Sequence, residues 1–256
     1  MSMTSWQIVA KSLVWLYSFD TVRALKDFVR PLKHALFGKD GIYYVVDEVA
    51  NVRTKDSPVE IVFDIGAAHG DTARTFGRSF KNAVIYCFEP QETSMQRLKK
   101  RTVHLKERIK TFPFAFLNKT GIERFNILSY ADASSFLPVQ KYFKEQGITE
   151  VESRMVQVMK LDDFVREHKI PRIHFMKIDV EGVEKELLQG GSETLRHNVD
   201  NVFIEISPLR KGPNSADHID VFRFFHERNF TLMGFYGDCF FSKDELLLKK
   251  YFGVKK

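Results

Sequence analysis

The segment VFDIGAAHGD, residues 62–71, determines how the rest of the chain is interpreted. A β-rich run reaches Asp64, turns through Gly66 and Gly70, and continues into a stretch with helical spacing. Glycine permits a tight turn and lets a ligand approach the backbone closely, and the free N–H groups of the following helix face that ligand. In a doubly wound sheet, nucleotides and nucleotide-like cofactors bind at such a turn. A G-x-x-x-G spacing alone is a weak signal, so the neighbouring segments must support it.

Short apolar runs alternate with helical stretches on the carboxyl side of this turn. The strand candidates are Glu60–Ile65, Ala83–Phe88, Ile109–Phe114, His174–Val180, Asn201–Ile206, Thr231–Tyr236, Cys239–Phe241 and Lys249–Gly253. The helix candidates lie near residues 71–80, 92–106, 183–197 and 217–228. This alternation predicts an α/β fold with a mostly parallel, doubly wound sheet, helices on both faces, and a C-terminal antiparallel hairpin.

Two regions fall outside this alternation. Residues 5–37 have apolar side chains at helical spacing, which predicts one or two amphipathic helices. The turn sequence DSP at 56–58 then marks a boundary, so we expect an N-terminal helical extension over 1–57 and the main domain over 58–256. Residues 115–160 contain β-like pieces without a clear crossover helix, and are interpreted as an insertion over the strand ends.

An acidic residue follows the second strand candidate. The run YCFEP places Glu89 at the end of that strand, 23 residues after Gly66. An acid at this position accepts hydrogen bonds from both hydroxyls of a ribose. The turn itself reads G-A-A-H-G, with Ala68 where the dinucleotide pattern G-x-G-x-x-G has its middle glycine. Because that glycine makes room for a pyrophosphate, the sequence favours a cofactor that has a ribose but no pyrophosphate, such as S-adenosylmethionine.

The third informative segment is MKIDVEG at 176–182. Strand alternation puts Lys177 and Asp179 on one face, with Glu181 just beyond the end of the strand. A lysine inside an apolar central strand is costly unless a carboxylate pairs with it, and the next strand offers Glu205 at a similar level. The sequence therefore predicts that Lys177 pairs with Asp179 or Glu205. Such a pair is either purely structural or lies where a methyl donor meets its acceptor.

Composition and charge narrow the class of protein. The 256 residues are 44% hydrophobic and 28% charged, as in ordinary globular domains. The formal net charge of +6 suggests an anionic partner, but the basic runs are short and scattered, which favours a merely basic surface. Cys87 and Cys239 are too few for a disulfide framework or a cysteine-based metal site. No signal peptide or transmembrane stretch is recognised, so a reduced, cytoplasmic protein is expected.

The three segments together resemble the FkbM family of methyltransferases. The matching pieces are FDIGAAHGD at 63–71, FEP at 88–90, LDDF at 161–164, KIDVEGVEKELLQGG at 177–191 and FIEIS at 203–207. Weaker matches are AFLNKTG at 115–121 and the pair Ser134–Ser135. The resemblance covers about residues 60–207, and KIDVEG with the helix after it is its most specific part.

The resemblance implies a Rossmann-like class I methyltransferase fold that binds S-adenosylmethionine. By position, the implied cofactor-binding residues are Asp64, Gly66, Ala67, His69, Gly70, Glu89 and Asn118. Those of the turn would shape the methionine end of the site, Glu89 would hold the ribose, and Asn118 would border the adenine. Family members often have a polar residue where Ala68 stands, so one side-chain contact is lost while the backbone part of the site is kept.

The same resemblance implies methylation of a hydroxyl on a sugar, polyketide or other small molecule. Its implied catalytic residues are Lys177, Asp179, Glu181 and Glu205. Methyl transfer from a sulfonium requires the acceptor oxygen to be aligned and relieved of its proton. We expect Asp179 or Glu181 to orient or deprotonate the hydroxyl and Lys177 to anchor the carboxylate. These carboxylates would suit a metal together with His69 or His174, but no metal-ligand spacing is present and no metal is expected.

Other kinds of protein are considered as well. The basic charge suggests a nucleic-acid methyltransferase, but DVEG stands where enzymes that methylate base amino groups have an Asn/Asp-Pro-Pro-aromatic motif, and neither cysteine follows a proline. A non-catalytic protein that keeps the fold is disfavoured by the retention of Gly66 and Glu89. The missing middle glycine disfavours a nicotinamide oxidoreductase. The expected partner is thus a small-molecule acceptor and not nucleic acid, and the sequence identifies neither that acceptor nor the oligomeric state.

Overall fold

The structure is a computed structural model that describes residues 41–53, 56–206, 217–235 and 238–253. Its contacts divide the chain into two compact units, Met1–Tyr44 and Val45–Lys256. The helices expected over residues 5–37 lie outside the described residues. The boundary expected at residues 57–58 stays a prediction.

The second unit contains a seven-stranded main sheet. Its strands are β1 Ile61–Ile65, β2 Val84–Phe88, β3 Ile109–Phe112, β7 Phe175–Ile178, β8 Asn201–Ile204, β9 Thr231–Phe235 and β10 Cys239–Ser242. They lie in the order β3–β2–β1–β7–β8–β10–β9. Strands β1, β2, β3, β7 and β8 are parallel, and β10 is antiparallel to both β8 and β9. This arrangement confirms the predicted Rossmann-like α/β sheet with a closing antiparallel hairpin.

Nine described helices accompany the strands. They are α1 Gly41–Val52, α2 Asp71–Ser79, α3 Glu92–Thr102, α4 Lys141–Glu145, α5 Leu161–Glu167, α6 Glu184–Gly190, α7 Ser192–His197, α8 His218–His226 and α9 Glu245–Phe252. A 3₁₀ helix, Val103–Arg108, continues α3 towards β3. The helix expected over 183–197 is divided at Gly191, where a Cβ would lie 2.6 Å from the Leu161 side chain. The glycine thus allows the junction of α6 and α7 to contact α5.

The central strands are apolar because helices and neighbouring strands cover them on every side. All four residues of β7 and of β8 are buried. The polar exceptions in β1 and β7 are Asp64 and Lys177, which are direct partners in the register of these strands. Since neither would be buried alone without a large cost, their placement side by side is already a sign of a functional edge.

Phenylalanines hold α5 against the first three strands. The ring of Phe164 lies edge-on to Phe88 and Phe112, with centroids 5.0 Å away in both cases. Phe63 of β1 joins the same group, 5.9 Å from Phe164. This packing is one of the uses of the many phenylalanines, and it shows that the LDDF segment forms the first turn of α5 and directs Phe164 at the sheet.

Residues 115–160 form a second sheet. Its strands are β4 Ala115–Phe116, β5 Gly121–Leu128 and β6 Glu150–Met159, in the order β4–β6–β5. Strand β6 is parallel to β4 and antiparallel to β5. The break in the strand–helix alternation therefore marks β-structure of its own.

The strand expected at Lys249–Gly253 is wrong, because these residues belong to α9 or end it. Asp244 caps this helix by accepting a hydrogen bond from the Leu246 N–H at 3.0 Å, and Gly253 ends it with φ of 64°. Both are ordinary helix signals. The run of leucines and aromatic residues between them looked strand-like only because these two signals were overlooked.

Candidate active site

The register of the parallel strands aligns four predicted residues at one edge of the main sheet. Ile65 is in register with Phe88 on one side and with Ile178 on the other. Ile178 is in turn in register with Ile204. The residues that follow these strand ends are Gly66, Glu89, Asp179 and Glu205. Ligands of open parallel sheets bind at this carboxyl edge, so separate sequence segments contribute neighbouring groups to one candidate site.

The turn after β1 crosses directly over the end of β7. Gly66 and Gly70 have φ of 75° and 84°, which glycine adopts at no steric cost. The N–H groups of Gly66 and Ala67 both donate to the Phe88 carbonyl, at 3.0 and 3.1 Å. A Cβ on Gly66 would lie 1.7 Å from the Asp179 carbonyl oxygen. The turn is therefore tied to β2 and passes too close to β7 for a side chain.

Glu89 is buried and held by two backbone donors. The Ala68 N–H donates to Oε2 at 2.9 Å, and the Gln91 N–H donates to Oε1 at 2.8 Å. Burial raises the pKa of Glu89 to about 7, although both hydrogen bonds favour the ionised form. Ala68 itself has φ of 42°, a left-handed conformation that is uncommon for alanine. The carboxylate is thus fixed between the glycine turn and the start of α3.

Lys177 joins the glycine turn to the end of β7. Its Nζ donates to the Gly66 carbonyl at 2.7 Å. The same atom lies 3.0 Å from Asp179 Oδ2 and 3.7 Å from Asp64 Oδ1. Burial opposes the charge of Lys177, but the two aspartates outweigh it and raise the pKa of the lysine. The predicted pair with Asp179 is confirmed, whereas Glu205 forms no ion pair with Lys177 in the described part of the chain.

Asp64 supports this arrangement from below. It is fully buried, and its Oδ2 accepts a hydrogen bond from Thr72 Oγ1 at 2.6 Å. Burial raises the pKa of Asp64, while Lys177 and Thr72 act in the opposite direction. The residue therefore anchors Lys177 and the first turn of α2, and has no exposed surface with which to touch a ligand.

Several carboxyl groups surround the ends of β7 and β8. Burial raises the pKa of Glu205 to about 8, and the negative charges of Asp179, Asp238 and Glu181 add to the shift. A carboxyl group that titrates near neutral pH is suited to accept a proton from a substrate. This edge of the sheet thus combines a fixed cation with several carboxyl groups, among which Glu205 has a raised pKa.

The insertion is attached to the loop that carries Glu181. Ser135 Oγ donates to the Glu181 carbonyl at 2.7 Å, while Ser134 Oγ accepts from the Leu128 N–H at 3.1 Å. Glu181 and Gly182 have φ of 57° and 105°, so this loop is left-handed at two consecutive residues. The serine pair therefore connects the second sheet to the candidate site.

Three further residues named in the sequence analysis lie outside this group of strand-end residues. Asn118, just after β4, donates to the Gln189 side chain at 2.9 Å, and His69 Nε2 lies 3.2 Å from an Arg97 nitrogen. His174 is at the opposite edge of the sheet, where its Nδ1 accepts from the Ile61 N–H at 3.4 Å. Among the described residues, no group of three or more His, Cys, Asp or Glu is arranged to hold a metal ion.

Two contributors were missed by the sequence analysis. Thr72 lies within the helix expected near residues 71–80, but its bond to Asp64 follows only from the orientation of that helix over β1. Asp238 precedes Cys239, which is in register with Ile204, so the antiparallel hairpin brings Asp238 beside Glu205. No sequence motif marks this pairing, because it depends on the register of β10.

A comparison with protein families identifies the class of this site. Residues 64–232 match the family described as the methyltransferase FkbM domain. The chain belongs to the FkbM methyltransferase family. The match begins at Asp64 and includes Glu89, Lys177, Asp179 and Glu205. It confirms the resemblance to this family that the motifs indicated.

Individual relatives are more distant. The 2-O-methyltransferase NoeI of Sinorhizobium fredii is 26% identical over 153 residues, which are 55% of this chain and 60% of NoeI. The crystal structure of methyltransferase FkbM from Methylobacillus flagellatus KT is 15% identical with a TM-score of 0.47, covering 72% of this chain and 43% of that protein. Fibrillarin from Aeropyrum pernix, solved with natively bound S-adenosyl-L-methionine, is 9% identical with a TM-score of 0.41, covering 74% and 66%. The chain thus spans little more than half of NoeI and less than half of the solved FkbM protein.

None of the described helices is long and apolar enough to cross a bilayer.

Proposed function

We propose that the protein transfers a methyl group from S-adenosylmethionine to a hydroxyl of a small molecule, such as a sugar or a polyketide. The observation that carries this proposal is the group of carboxyls around the ends of β7 and β8, in which Glu205 has a pKa raised to about 8 by burial and neighbouring charge. Methylation of a hydroxyl needs a proton acceptor. The naming of NoeI as a 2-O-methyltransferase supports the same reaction type.

The donors and acceptors at this edge fit S-adenosylmethionine. Each carboxylate oxygen can accept a second hydrogen bond besides its backbone N–H, so Glu89 suits the two hydroxyls of a ribose. The first turn of α2 offers N–H groups near Gly70 for the carboxylate of an amino acid. Ala68 stands where a dinucleotide-binding turn has the glycine that makes room for a pyrophosphate, so a cofactor without a pyrophosphate fits better. Glu89, the turn and Asn118 are therefore proposed to hold the cofactor.

When bound, S-adenosylmethionine supplies a methyl group on a sulfonium. The task of the protein is to bring the acceptor oxygen into line and to take its proton. Asp179, held by Lys177 at 3.0 Å, is proposed to orient the acceptor hydroxyl. Glu181 or Glu205 then receives the proton, and the fixed charge of Lys177 keeps Asp179 in place throughout.

The remaining expectations stay proposals. Cys87 and Cys239 are both free and buried, which supports a reducing, cytoplasmic location.

Isothermal titration calorimetry of the full chain tests the cofactor assignment. S-adenosylmethionine and its demethylated product should both bind the wild type. Glu89→Gln should weaken binding by about 10- to 100-fold, the worth of one or two charge-assisted hydrogen bonds. Glu92→Gln is the matched control, because that side chain is 69% exposed on α3. Failure of the wild type to bind either ligand contradicts the proposal.

Transfer of tritiated methyl groups to methyl glycosides, phenols and a short RNA tests the acceptor class. Label should enter a hydroxyl compound and not the RNA. Combined replacement of Asp179→Asn and Glu181→Gln should abolish transfer while cofactor binding persists. Full turnover of that variant would show that the proposed catalytic residues are wrong, and label found only in RNA would show that the proposed acceptor is wrong.

A further inference from the structure

The positive charge of the chain is concentrated in one segment. Residues 97–110, RLKKRTVHLKERIK, contain seven lysines and arginines and one glutamate. Their formal charge of +6 equals that of the whole chain, so acidic and basic residues are balanced elsewhere. The segment runs from α3 through the 3₁₀ helix into β3, which is an edge strand of the main sheet. We call its exposed side the basic strip.

Packing fixes the basic strip so that its charges face outward. Leu98, Thr102 and Leu105 are buried, and they hold one side of the segment against the domain. Lys99, Lys100 and Lys106 are exposed, and none of them has an ion-pair partner in the part of the chain that the structure describes. Arg101 differs, because its guanidinium binds Asp71.

An apolar side chain lies in the middle of these charges. Val103 is 72% exposed, more than any other large hydrophobic residue that the structure describes. It lies between Lys100 and Lys106 in the sequence, directly after the end of α3. A single exposed apolar side chain is ordinary on a protein surface, but here it stands among cations that have no ion-pair partner in the described part of the chain.

The amino-acid composition of the basic strip distinguishes between two kinds of anionic partner, a nucleic acid and a membrane surface. Single-stranded nucleic acids are bound by basic grooves that contain aromatic residues for base stacking, and residues 97–110 contain no Phe, Tyr or Trp. Anionic bilayers attract clusters of lysine and arginine, and apolar side chains among those charges enter the headgroup region. We propose that the basic strip docks the protein on a membrane surface that contains anionic lipids. This inference does not depend on the proposed reaction.

Docking along the strip would leave the candidate site accessible. The strip begins at Arg97, which lies 3.2 Å from His69 of the glycine turn, and extends along α3 away from the carboxyl edge. A bilayer that contacts Lys99, Lys100 and Lys106 therefore meets residues beyond Arg97 and not the strand ends that form the candidate site.

Co-sedimentation of the full chain with vesicles tests the proposal. Vesicles of phosphatidylcholine alone are compared with vesicles of phosphatidylcholine mixed with phosphatidylglycerol. The wild type should sediment with the anionic vesicles only, and raising the salt concentration should release it because salt screens the attraction. The variant K99Q/K100Q/K106Q should lose binding on the order of 100-fold, about fivefold for each lysine near the surface.

Matched controls separate the strip from net charge and from folding. K141Q/K144Q/K169Q removes the same charge at exposed lysines elsewhere, and should bind the vesicles like the wild type. Val103→Ser keeps every charge and should weaken binding to anionic vesicles by a few-fold. Thermal unfolding should show all variants to be folded.

Three outcomes would overturn the inference. The first is equal retention of the wild type by anionic and neutral vesicles. The second is an equal loss of binding in the two triple variants, which would make net charge the cause. The third is tighter binding of a short RNA than of the vesicles, dependent on Lys99, Lys100 and Lys106, which would make the strip a nucleic-acid surface.

Discussion

Gly66 meets two constraints that no larger residue can meet together. Its φ of 75° is left-handed, and a Cβ there would lie 1.7 Å from the backbone of Asp179. Gly147 has the same φ, but a Cβ added there would have no atom within 4 Å. A substitution at Gly147 therefore measures the cost of the left-handed conformation alone. Gly147→Ala should lower the free energy of unfolding by about 1–2 kcal/mol. Gly66→Ala should cost about 1–3 kcal/mol more, because the backbone must move apart.

Urea unfolding of both variants measures these costs. Calorimetry with S-adenosylmethionine then shows whether the displaced turn still binds the cofactor. Equal losses of stability in the two alanine variants would mean that the close approach of the turn to β7 has no energetic weight.

Glu205 makes stability and turnover depend on pH in opposite ways. Its pKa rises from 4.5 to about 8 on folding, chiefly through burial. The folded state therefore holds the proton more tightly than the unfolded state, so this contribution is full at acid pH and is lost as the pH rises towards 8. If Glu205 accepts the substrate proton, wild-type turnover should instead increase over the same interval.

Glu205→Gln should abolish the rise in turnover and reduce the fall in stability, of which the share due to Glu89 remains because burial raises its pKa to about 7. Urea unfolding at a series of pH values, in parallel with methyl transfer, measures them. Glu107→Gln, an exposed change on the 3₁₀ helix, should behave like the wild type. A Glu205→Gln protein with the same pH dependence of turnover as the wild type would exclude Glu205 as the proton acceptor.

At the level of whole elements, the insertion binds the loop that carries Glu181 through a hydroxyl group. Ser135→Ala removes the 2.7 Å bond to the Glu181 carbonyl, so the left-handed loop should relax. We expect a stability loss of about 1 kcal/mol and a fall in turnover on the order of tenfold from misplaced groups. Hydrogen exchange at the Gly182 amide should become faster.

Ser129→Ala is the comparison for this coupling. Its hydroxyl accepts from the Thr149 N–H at 3.1 Å within the insertion, so its loss should affect stability but leave turnover unchanged. If both serine variants reduced turnover equally, the insertion would act by its general stability and not through Glu181.

The elements that sequence predicted best are those that local patterns fully specify. Strands β1, β2, β7 and β8 are short apolar runs that end in a turn signal, and parallel pairing aligns their ends. For this reason Gly66, Glu89, Asp179 and Glu205 could be brought to one edge without a structure. The ion pair of Lys177 with Asp179 followed from the cost of burying an isolated charge.

Features set by tertiary register could not be predicted in the same way. Asp238 reaches Glu205 only because β10 is antiparallel to β8 with Cys239 opposite Ile204. The basic residues of the strip are already clustered in the sequence within residues 97–110, but which of them stay exposed depends on how α3 and the 3₁₀ helix pack on the domain. The strand predicted at Lys249–Gly253 was wrong for a different reason. The helix-capping residue Asp244 was visible in the sequence, but the apolar composition of the run after it was given more weight.

For the whole molecule, a buried ionic cluster fastens the edge of the sheet opposite to the candidate site. Arg53, just after α1, binds Asp244 and lies 3.5 Å from Asp200. Asp244 begins α9 and Asp200 precedes β8, while Arg172 also binds Asp200 at 2.9 Å. The cluster therefore joins segments from both ends of the domain, far from the residues that would touch a cofactor.

Breaking this cluster should affect folding and leave cofactor binding intact. The side chains of Arg53 and Asp244 are only 5% and 3% exposed. Arg53→Met leaves the buried Asp244 carboxylate without this cation, while Asp200 keeps Arg172, and the change should cost about 3–5 kcal/mol. Arg124→Met breaks the ion pair with Glu150, in which the two side chains are 64% and 34% exposed. This change should cost only about 0–1 kcal/mol. Urea unfolding measures both, and calorimetry on folded protein should give unchanged affinity for S-adenosylmethionine. Equal losses in the free energy of unfolding for the two substitutions would show that the buried cluster adds no more than a surface pair. A loss of cofactor affinity in Arg53→Met alone would mean that the two edges of the sheet are coupled.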